Sequence, residues 1–150
     1  TDFKAVNIAK SLLKGDEKKV EDLLSEVILT YVSTRDFATK SHPETSTGLF
    51  IMNIRKFKDV ISDYKSNAEA GLGYLDFAFK DDPGKTAVVI EIKSCKSTDE
   101  RLNAQKVALE QIKEKKYAES YIKDSSIDHV YAYAIAFSNK YCRVKVEALK

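Results

Sequence analysis

The sequence is poor in cysteine and has no long apolar run. Its two cysteines, Cys95 and Cys142, are too few for a disulfide scaffold or a cysteine-rich zinc site, and they favour a reducing compartment. No apolar stretch approaches the roughly 20 residues that cross a bilayer, and no signal-peptide pattern opens the chain. We therefore expect no membrane partner and a cytoplasmic location, with delivery elsewhere as an effector as the alternative.

Arginine and excess positive charge are scarce as well. Lysine and arginine together number 25 against 23 acidic residues, and only four of the 25 are arginine. The net charge of +2 excludes binding of nucleic acid by overall charge alone, so contact with a polyanion must come from a local patch. With so few arginines, bidentate reading of bases is not expected to dominate.

Apolar residues make up 43% of the 150-residue chain, which is enough for one core of ordinary size. Their spacing predicts three helices, three strands, one further helix and two final strands. The predicted helices begin near Phe3, at Asp16 and at Pro43, and a fourth runs from Thr98 to about Lys123, while the predicted strands are Val60–Lys65, Tyr74–Lys80, Ala87–Lys93, Val130–Phe137 and Cys142–Glu147. No repeat or linker divides this order, so we predict a single α/β domain. Because the first residue is not methionine, we expect the chain to be a piece of a longer protein.

The second and third predicted strands form a hairpin. Asp81-Asp82-Pro83-Gly84 is a strong turn signal. A turn centred on this motif sets Phe77 opposite Val88 and places the large apolar side chains of both strands on one face. The alternation of apolar residues in the two strands therefore agrees with this hairpin.

The other face of this hairpin carries charged side chains. The same register sets Asp76 opposite Val89 and diagonal to Glu91, roughly 7–8 Å apart at Cα, and Lys93 points the same way as Glu91. Two buried carboxylates are costly unless a cation compensates them, and oxygen ligands favour Mg²⁺ or Mn²⁺ over zinc. The simpler alternative is a solvated strand end with a cross-strand ion pair.

Asp76, followed by Glu91-Ile92-Lys93 at the end of the next strand, resembles the PD-(D/E)XK nuclease superfamily. Three further blocks resemble one branch of it, the nuclease-like C-terminal domain of bacterial proteins with an AAA-ATPase-like N-terminal domain: Ser66 to Asp76, Ala108-Leu109-Glu110-Gln111-Ile112 and Lys116-Tyr117-Ala118. The sequence departs from the pattern at Leu75, where the superfamily often has proline, and at Tyr74-Leu75, where the branch usually has an arginine. The resemblance covers most of the chain and is weakest before about Glu44.

The resemblance implies a fold and a set of site residues. The fold is a restriction-endonuclease-like core over about residues 43–150, a central mixed β-sheet of four to five strands flanked by helices, with extra N-terminal helices over about residues 1–58. The implied catalytic set is Asp76, Glu91, Lys93 and Gln111, with Asp76, Glu91 and Glu44 as metal ligands and Glu69 as an additional site residue. Other interpretations stay open, since Glu44 in a first helical turn also suits the helix dipole and Gln111 could border the core.

Two functions are consistent with these residues. The first is a Mg²⁺- or Mn²⁺-dependent nuclease that hydrolyses phosphodiester bonds of DNA, with RNA as the second substrate class. The second is a catalytically inactive nuclease-like binding or regulatory module of a larger ATPase-linked protein or effector. The acid–acid–lysine set favours the enzyme, whereas the near-neutral charge and the missing arginine favour the module. The lysine run at 113, 115 and 116 is either the solvated face of the long helix or a phosphate contact.

Overall fold

The computed structural model describes residues 2–34, 59–69, 74–95, 97–138 and 141–150. The helices in these ranges are α1 (Asp2–Leu13), α2 (Glu17–Thr34), α3 (Thr98–Glu114) and α4 (Lys116–Lys123), and the strands are β1 (Ile61–Glu69), β2 (Tyr74–Asp81), β3 (Thr86–Ser94), β4 (His129–Ser138) and β5 (Tyr141–Ala148). The predicted third helix, which would carry Glu44, lies outside the described residues. Within those residues, no helix is long and apolar enough to cross a membrane.

The five strands form one mixed sheet in the order β1-β2-β3-β4-β5. Neighbouring strands are antiparallel, except that β3 and β4 are parallel. A parallel pair needs a crossover connection, and α3 and α4 supply it because they lie between β3 and β4 in the chain. The predicted α/β fold, a mixed sheet of four to five strands that is flanked by helices and preceded by extra N-terminal helices, is confirmed.

Helices cover both faces of the sheet. On one face, α1 and α2 pack against large apolar side chains that include Phe77, Phe79, Val88, Ile90 and Tyr133. On the other face, α3 and α4 pack against smaller side chains that include Ala78, Val89, Ala132 and Ala134. The charged face of the hairpin is the second of these, so α3 is the helix that lies over the predicted site.

The β2–β3 hairpin has the predicted faces but not the predicted register. Phe77 pairs with Ile90 rather than with Val88. A shift of two residues leaves every side chain on its face, because side chains alternate with a period of two. It moves Asp76 from a diagonal position to one directly opposite Glu91, so the two carboxylates are closer than the sequence predicted.

The position of the hairpin loop explains the shift. Residues 82–85 separate Asp81, the end of β2, from Thr86, the start of β3, so the loop is centred between Pro83 and Gly84, whereas the predicted turn is centred between Asp82 and Pro83. Gly84 adopts φ +72° within this loop. Asp81 Oδ1 accepts the backbone N–H groups of Lys85 at 2.7 Å and Thr86 at 3.1 Å. These side-chain bonds satisfy two backbone donors at the end of the loop and stabilise it.

The strand β1 is longer than predicted and contains a bulge. It continues to Glu69, whereas the predicted strand ended at Lys65. The pairing with β2 shifts between Ser62 and Lys65, and Asp63 in this bulge has φ +48°. Pairing then resumes, and Glu69 lies opposite Tyr74.

The predicted long helix is broken at Lys115. It begins as predicted, because Ser97 is the N-cap and accepts the N–H of Glu100 at 3.2 Å. Lys115 has an extended backbone, with φ −71° and ψ 138°, and α4 begins at the next residue. The break takes Lys115 out of the helical face on which the sequence had placed it.

A glycine ends α1 and starts the turn into α2. Gly15 has φ +69°, its N–H donates to the carbonyl of Leu12, and the N–H of Asp16 donates to the carbonyl of Ser11. These two bonds form a Schellman motif. The ring of Tyr131 lies against this turn, and a Cβ at Gly15 would be 2.7 Å from its Cε1 atom. Both the backbone angle and the contact therefore require glycine.

Gly15→Ala is expected to lower the free energy of unfolding by about 2–4 kcal/mol, because a side chain meets both a left-handed backbone and the Tyr131 ring. Gly84→Ala is the matched control, since its φ is +72° but the nearest atom to a new Cβ is 4.0 Å away. The control is expected to cost only about 1–2 kcal/mol. Urea denaturation compares the two, and equal losses would contradict a contribution from the Tyr131 contact.

The helix α2 also lies along the outer side of β5. Glu21 accepts the N–H of Val144 at 2.9 Å, and Glu17 accepts the N–H of Val146 at 3.0 Å. Since β4 is the only strand that pairs with β5 within the described sheet, these N–H groups have no strand acceptor. Two side chains of α2 satisfy them instead.

Candidate active site

Asp76 and Glu91 face each other across the β2–β3 pair. They are direct partners in the antiparallel register, and directly opposite residues have Cβ atoms about 4.5–5.5 Å apart. Their neighbours two positions away, Ala78 and Val89, pack in the layer under α3, so both carboxylates lie on that side. Each residue exposes only 1% of its surface. The structure thus places two carboxylates close together in a buried position.

A lysine lies beside each carboxylate. Lys93 Nζ is 3.5 Å from Glu91 Oε1, and Lys115 Nζ is 3.0 Å from Asp76 Oδ2. The two lysine side chains are 17% and 29% exposed, respectively. One comes from the central strand β3 and the other from the break between α3 and α4, so separate elements supply the two ammonium groups.

Several oxygens at this place have no hydrogen-bond partner among the described residues. They are both Oδ atoms of Asp76, Oε2 of Glu91 and Oε1 of Gln111. The 3.0 Å contact between Lys115 and Asp76 is an ion pair by distance that lacks hydrogen-bond geometry. Buried oxygens without partners are rare in folded proteins, and carboxylate and amide oxygens are ligands of hard divalent cations. The residues present therefore fit a Mg²⁺ or Mn²⁺ ion.

The ligand set within the described residues is small. They contain no group of three histidine, cysteine, aspartate or glutamate side chains placed to hold a metal. Two buried carboxylates and one buried amide oxygen are thus what the described part of the site offers, and Mg²⁺ commonly keeps several waters in addition to one or two carboxylates. This composition suits magnesium or manganese better than a closed zinc site.

A cleft of about 280 Å³ opens beside Glu91 and is lined by Glu91, Gln111, Glu114 and Lys115. On the β4 side, Ala134 lies next to Glu91 and Ala136 lies next to Lys93 in the parallel register. These methyl side chains take little room beside the charged groups. Since one water occupies about 30 Å³ in the liquid, the cleft has room for several waters or for a phosphate group.

Burial raises the pKa of the Glu91 carboxyl above its ordinary value of 4.5. The ammonium groups of Lys93 and Lys115 oppose this shift, and the neighbouring Asp76 adds to it. A carboxyl with a raised pKa keeps its proton to higher pH, and a metal ligand must be deprotonated. A proton and a cation therefore compete for Glu91.

The affinity for Mn²⁺ is expected to fall as the pH is lowered through the raised pKa of Glu91. The free energy of unfolding of the metal-free protein has the opposite pH dependence. The contribution of Glu91 to it is fully present below the unfolded pKa of 4.5 and is lost as pH rises through the higher folded pKa. Thermal melts with and without Mn²⁺ over about pH 4–8 measure both trends. Glu91→Gln is the control and should lack this step, whereas an Mn²⁺ affinity that is flat across this range would contradict the competition.

Of the six predicted site residues, Glu91 and Gln111 line the cleft. Asp76 is the strand partner of Glu91, and Lys93 is the ion-pair partner of Glu91. Glu44 lies outside the described residues. Glu69 is part of β1, and its partner Tyr74 is itself the partner of Lys93. The backbone of Glu69 therefore lies in the same row as Lys93, two strands away, and its side chain lies outside the described part.

Two further residues line the cleft that the sequence did not assign to the site. Lys115 belongs to the lysine run that is predicted to be either the solvated face of the long helix or a phosphate contact, and Glu114 belongs to no predicted set. Glu114 follows Gln111 by three positions within α3, and residues at this spacing share a helical face, so the spacing is a signal that could have indicated Glu114. Lys115 lies at the break after α3, and helical spacing gives no such signal for it.

Comparison with family models gives a match to the PD-(D/E)XK nuclease superfamily over residues 57–147. The matched segment contains Asp76, Glu91, Lys93 and Gln111, and it leaves out α1 and α2. Neither a comparison with curated proteins nor one with solved structures gives a match. The family match covers more than half of the chain, and the mixed sheet flanked by helices agrees with it. The chain therefore belongs to the PD-(D/E)XK nuclease superfamily.

Proposed function

We propose that the chain is a Mg²⁺- or Mn²⁺-dependent nuclease that hydrolyses phosphodiester bonds of DNA, with RNA as the second candidate substrate. The observation that carries this proposal is the buried, directly opposed pair of Asp76 and Glu91 with a lysine beside each. Membership of a nuclease superfamily supports it further. A purely structural ion-pair cluster would not need carboxylate and amide oxygens that lack hydrogen-bond partners among the described residues.

Asp76 and Glu91 would hold the cation, and we propose Glu44 as a third ligand and Glu69 as an additional site residue. When bound, the cation polarises the scissile phosphate and makes water a stronger nucleophile. Lys93 orients the attacking water and offsets the negative charge that develops on the phosphate. Gln111 lines the same cleft and can hydrogen-bond to a water there through its side-chain oxygen.

A second candidate is a catalytically inactive module that binds nucleic acid or regulates a larger protein. The net charge of only +2 favours it, because a protein that binds nucleic acid as its substrate usually presents a basic surface. Tyr74-Leu75 also stands where the resembled branch has an arginine. In that case an ATPase-like N-terminal domain or another protein partner would carry the activity. This chain would bind the nucleic acid or regulate that larger protein.

Cleavage assays distinguish the two candidates. Labelled duplex DNA, single-stranded DNA and RNA are incubated with the protein in Mg²⁺, in Mn²⁺ and in a chelator. We expect products that depend on the metal and that disappear in Asp76→Asn protein purified in the same way. Equal products from the wild type and Asp76→Asn would indicate a contaminating nuclease, and no products from any substrate would favour the inactive module.

A further inference from the structure

We propose that Lys115 is an exchangeable cation of this site. Its ammonium neutralises Asp76 while no metal is bound, and it moves to a phosphate of the nucleic acid when a divalent cation takes that carboxylate. The inference rests on the proposed function, because it requires a cation at Asp76 and a phosphodiester in the cleft. It assigns a role in substrate positioning to a lysine outside the acid–acid–lysine motif.

The position of Lys115 is fixed by the backbone, whereas its long side chain can move. Its N–H donates to the carbonyl of Ile112 at 3.1 Å, which holds it at the end of α3. Its side chain is 29% exposed and its ammonium lies 3.0 Å from Asp76. Lys113, two residues earlier, instead pairs with Glu147 on β5 and is 46% exposed. The same basic run thus contains one lysine at the site and one away from it.

The charges of the site show why an exchange is needed. Asp76 and Glu91 contribute two negative charges, and the two ammonium groups paired with them contribute two positive charges. Adding a divalent cation to these four groups leaves an excess of two positive charges in a place where both acids are 1% exposed, and the exposed Glu114 that lines the same cleft offsets one of them at most. Like charges at short range in a poorly solvated site repel strongly. The repulsion falls if one ammonium leaves its carboxylate and a phosphodiester brings in negative charge.

Of the two lysines, Lys115 is the one that can leave at lower cost. Lys93 is held in β3, between two paired strands at the centre of the sheet, and its side chain is 17% exposed. Lys115 lies at an irregular residue between two helices and is more exposed. Its contact with Asp76 also lacks hydrogen-bond geometry, so less is lost when the contact breaks.

The exchange couples the binding of metal to the binding of nucleic acid. A metal ion that takes Asp76 releases the ammonium of Lys115 for a phosphate. A phosphate that draws Lys115 away leaves Asp76 for the metal. Such coupling is reciprocal by thermodynamic linkage, so each ligand strengthens the binding of the other by the same factor.

Calorimetric titration with Mn²⁺, without nucleic acid, tests the competition at Asp76. Lys115→Met keeps the length of the side chain and removes the charge, and we expect it to bind Mn²⁺ about tenfold more tightly than the wild type. Lys115→Arg is expected to bind Mn²⁺ more weakly, because a guanidinium can hold a carboxylate through two bonds. Lys113→Met is the matched control in the same lysine run and should leave the Mn²⁺ affinity unchanged.

Binding of a labelled oligonucleotide tests the transfer to phosphate. It is measured at fixed salt with Mn²⁺ in the Lys93→Ala background, in which the proposed function expects no cleavage, with and without Lys115→Met. We expect Lys115→Met to weaken oligonucleotide binding several-fold in Mn²⁺ and to have a smaller effect in a chelator. An equal effect under both conditions overturns the coupling.

The outcomes separate this inference from the proposed function. If the wild type cleaves but Lys115→Met binds Mn²⁺ no more tightly, the exchange is wrong and the proposed function stands. If the wild type binds Mn²⁺ but cleaves no substrate, and Lys115→Met and Lys115→Arg shift the Mn²⁺ affinity in opposite directions, the exchange stands and the proposed nuclease activity is wrong. If neither the wild type nor Lys115→Met binds Mn²⁺, both are wrong. Should Lys115→Met fail to fold, an unchanged or tighter Mn²⁺ affinity of Lys115→Arg overturns the exchange.

Discussion

Lys93→Ala is expected to lower the rate of phosphodiester cleavage by about 10²–10⁴-fold, because it removes the group that positions the attacking water and offsets charge in the transition state. Metal binding should persist or become tighter. A protonated ammonium has no lone pair to give to a metal, and its positive charge lies 3.5 Å from Glu91. The affinity for nucleic acid should fall little, because one lysine is one phosphate contact among several.

The measurement is cleavage of a labelled duplex and a labelled single strand with Mg²⁺ or Mn²⁺, with Mn²⁺ affinity determined alongside. Lys85→Ala is the control, since Lys85 is an exposed lysine of the hairpin loop and its loss should leave the rate unchanged. Cleavage that persists in Lys93→Ala would remove Lys93 from the mechanism. A wild type that binds metal and cleaves none of the substrates would favour the regulatory module.

Glu91→Gln is expected to weaken Mn²⁺ binding by on the order of 100-fold or more, because a ligand charge is lost from a site with few carboxylates. The fold should survive, since the amide keeps the shape of the side chain. Burial raises the pKa of Glu91, which means that the charged form is unfavourable there in the absence of metal. Removing this charge therefore takes away a cost that the metal-free protein carries.

Calorimetry with Mn²⁺ measures the affinity, and a thermal melt without metal verifies that the variant is folded. Glu114→Gln is the control, because Glu114 is an exposed glutamate that lines the same cleft and should change the affinity little. An Mn²⁺ affinity equal to that of the wild type would show that Glu91 is not a ligand.

The face on which each hairpin residue lies could be predicted from the sequence. Alternation with a period of two fixes it once a strand is identified, so Asp76 and Glu91 were expected on the face opposite Phe77. The exact pairing could not be predicted, because it depends on which residues form the loop. The Asp81 carboxylate accepts the backbone N–H groups of Lys85 and Thr86, and the Asp-Asp-Pro-Gly turn signal does not reveal these bonds.

The break at Lys115 could not be predicted from the sequence for a different reason. Apolar residues continue at helical spacing from Ala108 to Ala118, and no proline or glycine interrupts them. Local propensity therefore favours a continuous helix, whereas the structure has two helices with an extended residue between them. The contact between Lys115 and Asp76 joins two elements whose relative position depends on the whole fold, so the lysine could only be assigned once the sheet and α3 were placed together.

The two glutamates of α2 that bond β5 protect this strand edge from pairing with a second copy of the chain. A bare outer strand offers its N–H groups to the carbonyls of a second copy, and sheets can then add end to end into an open-ended ribbon. With Glu21 and Glu17 bonded to Val144 and Val146, an incoming strand must first displace two carboxylates. The family match leaves out both N-terminal helices, yet these helices cover the large apolar face of the sheet and α2 also bonds its outer strand. A chain shortened to residues 57–150 would therefore expose an apolar face and an unprotected strand edge together, and both favour association between copies.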